Sequence, residues 1–311
     1  MGFKFWSKAP TFNYFKALKA ILDEAIPGIC NQRKLSRDEV RDALVEHLRC
    51  FSVEYRAGRK PQNPYHDPLC RLAYVYCYLC ANANLCEIAI KRSDDLSELI
   101  TSRLEEEGEV KVCAFGGGPG TELLALAKFL INKKKKARGS ISFTLLDEVE
   151  EWAETWNLTE KEIRNFLKLN FGKAPSWPFT ISKSFIPFDI TEMDNYGNVR
   201  QLFGQDLYIL NYVVSELFEA HDLEGLRKLV KAMVESSQPG SKVLVIDRNE
   251  SGVVAKARRL LQNLGLTISE TCESKENMDY DEQASDLGDQ LIRDRHPRVK
   301  WDSFWVVGTK E

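Results

Sequence analysis

Apolar positions change their spacing once along the chain, near residue 108. Before it they recur every three or four residues over about 11–25, 36–57, 67–91 and 93–107, which predicts amphipathic helices. Ser36 and Ser93 stand just ahead of two of these segments as N-caps, and Glu39 completes a Ser-x-x-Glu capping box. The stretch "RAGRKPQNPYHDP" between the second and third helices reads as a loop. After residue 108, the strand-like runs "VKVCAF", "ISFTLL", "FTISKSFIPF", "DLYILNYV" and "SKVLVID" are separated by helical stretches. That alternation predicts a parallel sheet with helices on both faces. The final pair, "LGLTISETCES" and "KWDSFWVVGTK", has only a polar loop between its members and predicts an antiparallel closing hairpin. The expected fold class is α/β, with a helical N-terminal domain over 1–107 and a sheet domain over 108–311.

Between the first strand and the next helix lies "FGGGPGTE". A dinucleotide fold needs Gly-x-Gly-x-x-Gly, and counting from Gly116 and Gly118 the third place holds Thr121. A P-loop needs Lys-Ser/Thr after its last glycine, and Gly120 is followed by Thr121-Glu122. The register that fits is Gly116-x-Gly118-x-Gly120, in which a bare backbone lets a methionine moiety and a ribose approach closely. Glu122, in the first turn of the helix, suits a zwitterionic amino acid better than a pyrophosphate.

On these residues the chain resembles the class I S-adenosylmethionine-dependent methyltransferases, a Rossmann-like fold with a seven-stranded sheet, over about residues 108–311. The resemblance implies S-adenosyl-L-methionine as cofactor, held by the loop Phe115, Gly116, Gly117, Gly118, Pro119 and Gly120. It places Asp147, at the end of "FTLLD", on the ribose diol, whose two hydroxyls a carboxylate can accept at once. It places Asp189 and Ile190 on the adenine, and Asn211-Tyr212 in "DLYILNYVVSEL" where the sulfonium faces the acceptor. "SSQPGSKVLVIDR" matches the family's Pro-Gly turn into the fifth strand, and the closing hairpin matches its reversed seventh strand. One position departs: the family carries an acid two residues before the first glycine, and this chain has Ala114. Glu122 or a later residue then has to compensate, or the cofactor is held weakly.

Methyl transfer from a sulfonium is an in-line displacement, so the protein positions the nucleophile and removes its proton where needed. Asn211 can accept from a nucleophile N–H, Tyr212 can support the sulfonium by cation–π attraction, and Glu216 can act as a base or be an ordinary first-turn carboxylate. Asn-Tyr-Val-Val is not the Asn-Pro-Pro-Tyr of amino-directed adenine methyltransferases. Trp152 and Trp156 pack against the sheet edge, or Trp152 flanks the adenosine.

Formal net charge is −3 and pI about 6.0, so no global basic field advertises nucleic acid. Two local basic runs stand out, "NKKKKARG" (132–139) and "RDRHPRVK" (293–300); the second, closer to the expected substrate entrance, is the better candidate for RNA or an acidic acceptor. His296, before Pro297, reads as a turn residue. Eight cysteines without a secretory leader point to reduced thiols inside the cell, in cytoplasm or nucleus. Cys70, Cys77, Cys80 and Cys86 sit among apolar neighbours at helical spacing, and the Cys77-x-x-Cys80 pair lacks partners to complete four ligands. Core packing is expected and no structural metal. There is no membrane-length apolar run, and after Met1-Gly2 the expected hydroxyl of a myristoylation signal is replaced by Trp6. "GGGPGTELLAL" and "YVVSEL" also resemble fungal ribosomal-RNA uridine methyltransferases and mitochondrial-ribosome-associated methyltransferase-like proteins, a likeness too short to carry a base or position. Three functions stay open: an RNA methyltransferase, a protein or small-molecule methyltransferase, and a non-catalytic cofactor-binding regulatory or ribosome-associated protein.

Overall fold

The computed structural model describes residues 10–56, 65–133, 138–190, 202, 204–219, 223–278, 284–287 and 296–311. Four helices form the N-terminal segment: α1 (Tyr14–Arg33), α2 (Arg37–Arg56), α3 (Pro68–Arg92) and α4 (Asp94–Ser102). Their starts are set by short polar side chains. Asn13 accepts from Lys16 N at 2.9 Å, Asp67 from Leu69 N at 2.8 Å and Ser93 from Leu96 N at 3.1 Å. The Ser36 capping box is closed in both directions, Glu39 N to Ser36 Oγ at 3.2 Å and Ser36 N to Glu39 Oε2 at 2.7 Å.

Two boundaries differ from the sequence pattern. α1 runs eight residues past 25, straight through Pro27, because Ile26 and Ile29 beyond the apolar stripe are also buried in the core. The segment 93–107 is α4 followed by a π-helical turn at Arg103–Glu107, stopped by Gly108 at φ +73°.

β1 (Glu109–Phe115), α5 (Thr121–Asn132), β2 (Gly139–Asp147), α6 (Trp152–Phe171) and β3 (Phe179–Pro187) follow in order. Then come β4 (Leu207–Asn211), α7 (Val213–Glu219), α8 (Leu223–Ser236), β5 (Lys242–Arg248), α9 (Ser251–Asn263), β6 (Thr267–Asn277) and β7 (Lys300–Thr309). They build a seven-stranded sheet in the order β3-β2-β1-β4-β5-β7-β6. β1 to β5 run parallel, and β7 is antiparallel to both neighbours. The closing hairpin therefore forms, with its second strand inserted between β5 and β6. The strand order reverses between β1 and β4, which opens a crevice at their C-terminal ends.

Alternation along the strands sorts the core into two layers. Val112, Ala114, Leu145 and Ile209 face the layer of α1, α3, α5 and α6, and the N-terminal helices share that core with the sheet. Cys113, Phe115, Leu146 and Leu210 face α7, α8 and α9. Cys70, Cys80 and Cys86 are buried in the first layer as small apolar side chains. No helix among the described residues is long and apolar enough to cross a membrane.

Candidate active site

The glycine turn sits in the crevice at the end of β1. Gly120 N–H donates to Gly117 C=O at 2.8 Å, closing a four-residue turn around Gly118 and Pro119. Gly116, Gly118 and Gly120 all have positive φ, +56°, +44° and +80°, where a side chain is strained. Their surroundings differ. A methyl group on Gly120 would run into the buried Trp156 ring, so this glycine lets α5 approach α6. A methyl group on Gly118 would meet only ordinary contact, 3.5 Å from the Trp152 ring, at the wall of a cavity.

That cavity gathers side chains from the ends of several strands. Phe115, Gly116 and Gly118 line it from the β1 turn, Asp147 from the end of β2, and Asp189 and Ile190 from beyond β3. Glu216 closes it from the first turn of α7. Gly117 and Pro119 shape the turn without lining the cavity. Asp147 is held by two backbone donors: Gly118 N at 3.0 Å to Oδ2 and Val149 N at 3.0 Å to Oδ1. Its own carbonyl accepts from Phe188 N at 2.8 Å, which fixes the exit of β3 and thus Asp189 and Ile190.

Beneath the turn lies a buried polar pair. Glu122 Oε1 accepts from Asn211 Nδ2 at 2.7 Å and from Thr121 Oγ1 at 2.6 Å. Glu122 Oε2 and Asn211 Oδ1 are both buried and have no hydrogen-bond partner among the described residues. Burial pushes the Glu122 carboxyl above its usual range, against the opposing pull of the Thr121 and Asn211 hydrogen bonds. Position 114 carries a fully buried alanine in the same layer as α5, and Glu122 is a buried acid beneath the turn.

Tyr212 follows β4 at φ +61°, one of two non-glycine residues with positive φ among those described. A bulky residue in that region is strained, and such strain persists only where the surroundings hold it. Here Tyr212 N donates to Ile246 C=O at 2.8 Å and the phenol pairs with Ser303 Oγ at 2.8 Å. Burial pushes the phenol's pKa up, so it is a neutral hydroxyl at physiological pH. Asp247, fully buried at the end of β5, accepts from Ser215 N at 2.8 Å and Arg248 N at 2.7 Å and so secures the start of α7.

Sequence reasoning missed Asp247, and it missed Tyr65 and Tyr74, which line the cavity from the N-terminal segment. An acid ending a strand run was the available signal for Asp247. Trp152 lines the cavity, whereas Trp156 packs on Phe143 with ring centroids 5.4 Å apart. Of the basic runs, 134–137 and 293–295 lie outside the described residues. His296 is exposed, and Arg298 N donates to Cys77 C=O at 2.9 Å, tying this stretch to α3. Among the described residues no cluster of metal-ligating side chains occurs.

The chain matches, over residues 73–258 and thus more than half its length, a family described as "Putative SAM-dependent methyltransferase". Among curated proteins no sequence match was found. Similar solved structures include the mitomycin 7-O-methyltransferase MmcR, at 15% identity and TM-score 0.42, covering 86% of this chain and 67% of that one. Another is precorrin-6y C5,15-methyltransferase from Geobacter metallireducens GS-15, at 10% identity and TM-score 0.38, covering 71% and 90%. A third is the N-methyltransferase NodS from Bradyrhizobium japonicum WM9 in complex with S-adenosyl-l-homocysteine, at 14% identity and TM-score 0.36, covering 71% and 90%.

Proposed function

This chain belongs to the S-adenosylmethionine-dependent methyltransferase family, and from that premise we propose that it methylates a nucleophile presented over the Tyr212 turn, with RNA as the acceptor class. The observation that carries the reading is the strained Tyr212, held at φ +61° at the end of β4 by its bonds to Ile246 on β5 and Ser303 on β7.

The residues present fit the cofactor. Asp147 offers a carboxylate at the cavity wall, already oriented by two backbone donors, to a vicinal diol. Glu122 Oε2 and Asn211 Oδ1 are two buried acceptors without partners, and buried acceptors of this kind call for a donor such as an ammonium. Asp189 and Ile190 take the adenine, and the bare Gly116 and Gly118 let the ligand lie against backbone. When bound, the cofactor supplies an electrophilic methyl on a sulfonium. Tyr212 fixes the direction of approach, and Glu216, on the cavity wall, receives the nucleophile's proton where the acceptor must lose one.

RNA is favoured by what surrounds Tyr212. Arg248 is paired in the sheet with Ser303, the partner of the Tyr212 hydroxyl, and Arg298 is anchored on α3 at Cys77. Both guanidinium groups act on Tyr212 electrostatically, lowering its phenol pKa against the rise from burial. Two cations beside the turn suit an acceptor carrying phosphates. The eight free cysteines support a place in cytoplasm or nucleus, which fractionation of cells checks.

A tritiated-methyl assay on cell extract, split into RNA, protein and small-molecule fractions, tests the reading. Label in RNA is expected. Label only in protein or small molecules overturns the acceptor class. Cofactor binding without transfer to any fraction leaves the non-catalytic role.

A further inference from the structure

We propose that Tyr65 and Tyr74, from the N-terminal segment, are cofactor-contacting residues, and that Arg71 is the positioning residue that holds them there. The inference rests on the cavity being the S-adenosylmethionine site. It extends that site beyond the sheet and its flanking helices to a wall that the strand pattern does not supply.

Three aromatic rings make this wall. Tyr65 and Tyr74 lie 5.4 and 5.6 Å from Trp152, and 5.6 Å from each other at an interplanar angle of 88°. Trp152 in turn lies beside Gly118, which donates to Asp147. All three rings border the cavity together with Gly118 and Asp147. The rings thus reach the side of the site where Gly118 and Asp147 lie.

The wall is held by a clamp between α3 and α6. Arg71, on α3 and buried with only 3% of its surface exposed, donates through Nη1 to Tyr65 C=O at 2.8 Å and His66 C=O at 3.0 Å. Its Nη2 donates to Glu154 Oε2 at 2.7 Å on α6. His66 Nδ1 pairs with Glu151 Oε2 at 2.8 Å, just ahead of Trp152. Asp67 caps α3 at the following residue. A buried guanidinium whose Nη1 holds two carbonyls and whose Nη2 holds one carboxylate fixes the Tyr65 backbone relative to the start of α6. The start of α6 is also the continuation of the Asp147 loop, so the clamp places the aromatic wall against the diol-binding residue and not simply against a helix.

The chemistry of the ligand matches the wall. A ribose presents C–H groups on its faces and hydroxyls at its edge, and aromatic rings cover the first while Asp147 takes the second. Loss of either tyrosine ring removes contact area from the bound ligand.

The test is binding of S-adenosylhomocysteine by calorimetry, with melting temperature measured in parallel. Tyr65→Leu and Tyr74→Leu are each expected to weaken binding about tenfold, and Tyr65→Phe and Tyr74→Phe to leave it within about twofold. Arg71→Met is expected to weaken binding while Asp147 and the glycine turn are unchanged. Leucine variants with lowered melting temperature and wild-type affinity overturn the proposal, since the rings would then be core packing only. Hydrogen–deuterium exchange on the wild-type protein is independent of any variant's folding. Ligand is expected to slow exchange at residues 65–67 as well as at 116–120. Protection at 116–120 with no change at 65–67 overturns the proposal. Wild-type protein that binds no S-adenosylhomocysteine defeats the cofactor reading itself, a result distinct from either.

Discussion

Gly118 N–H donates to Asp147 Oδ2 at 3.0 Å, so the glycine turn and the carboxylate at the end of β2 are one unit. Asp147 therefore holds the turn, and in the proposed cofactor site it also receives the diol. Asp147→Ala should weaken S-adenosylhomocysteine binding by about 1–3 kcal/mol from lost charged hydrogen bonds. It should also lower the melting temperature, because Gly118 N and Val149 N lose their acceptor. Calorimetry and a melting curve on the same variant check both, and unchanged affinity in a folded protein removes Asp147 from the site.

The glycines of the turn should separate by function. Gly118→Ala places a methyl at φ +44° in ordinary contact with Trp152, costing about 1–2 kcal/mol of stability from backbone strain alone. Because that position lies on the cavity wall, most cofactor binding should be lost. Gly120→Ala forces a methyl into the Trp156 ring and should cost about 2–5 kcal/mol, strain and overpacking together. Melting temperatures and affinities of the two variants give the comparison. Wild-type affinity in Gly118→Ala would mean that the glycine there serves only the turn.

The strand-to-helix turn, Asp147, Asp189 and the reversed last strand were legible because each depends on local pattern: a glycine register, a terminal acid, two strand runs with no helix between. What was not legible depends on tertiary placement. Tyr65 stands in a stretch that reads as a loop and Tyr74 in a helical segment, and only the tie of α3 to α6 through Arg71 and Glu154 brings both to the cavity. Tyr212 was singled out by its place after β4, but its φ of +61° could not be foreseen, since tyrosine disfavours that region. α1 runs through Pro27 past the end that its apolar pattern predicts, because burial of Ile26 and Ile29 outweighs the missing hydrogen bond and the ring's crowding. The departure at Ala114 was visible in the sequence. That Glu122 is buried with an unpartnered oxygen was visible only in the structure.

Glu122 supplies a pH-dependent prediction. Its folded-state pKa is raised above 4.5 by burial, so the native state binds its proton more tightly than the unfolded chain does. Stability is then lost as pH rises from about 4.5 through the raised value, and the loss is complete above it. Glu122→Gln removes the buried charge and lets an amide N–H donate to Asn211 Oδ1, which lacks a partner. The variant should melt higher than wild type at neutral pH, with the difference shrinking towards pH 4.5. It should also bind S-adenosylmethionine more weakly, because the unpartnered carboxylate oxygen is gone. A melting difference that is constant with pH would mean that Glu122 does not titrate in that window.

Tyr212 offers the sharpest separation of cofactor binding from turnover. Tyr212→Gly relieves a strained φ by about 1 kcal/mol and gives up one hydroxyl hydrogen bond to Ser303 of similar worth. Loss of the ring from the core it packs against costs more than either, about 3 kcal/mol, so the variant should melt lower than wild type. Cofactor binding should change little, because Tyr212 does not line the wall formed by Gly118, Asp147 and Ile190. Turnover on the acceptor identified by the methyl assay should fall at least about tenfold, since an acceptor no longer meets a fixed surface at the methyl. Ser303→Ala, which keeps the ring and removes only its hydroxyl partner, should produce a smaller fall in the same direction. Steady-state rates with affinity and melting temperature on both variants decide the matter. If folded Tyr212→Gly turns over at the wild-type rate, the conformation at 212 serves the fold, and the acceptor approaches by another side of the cavity.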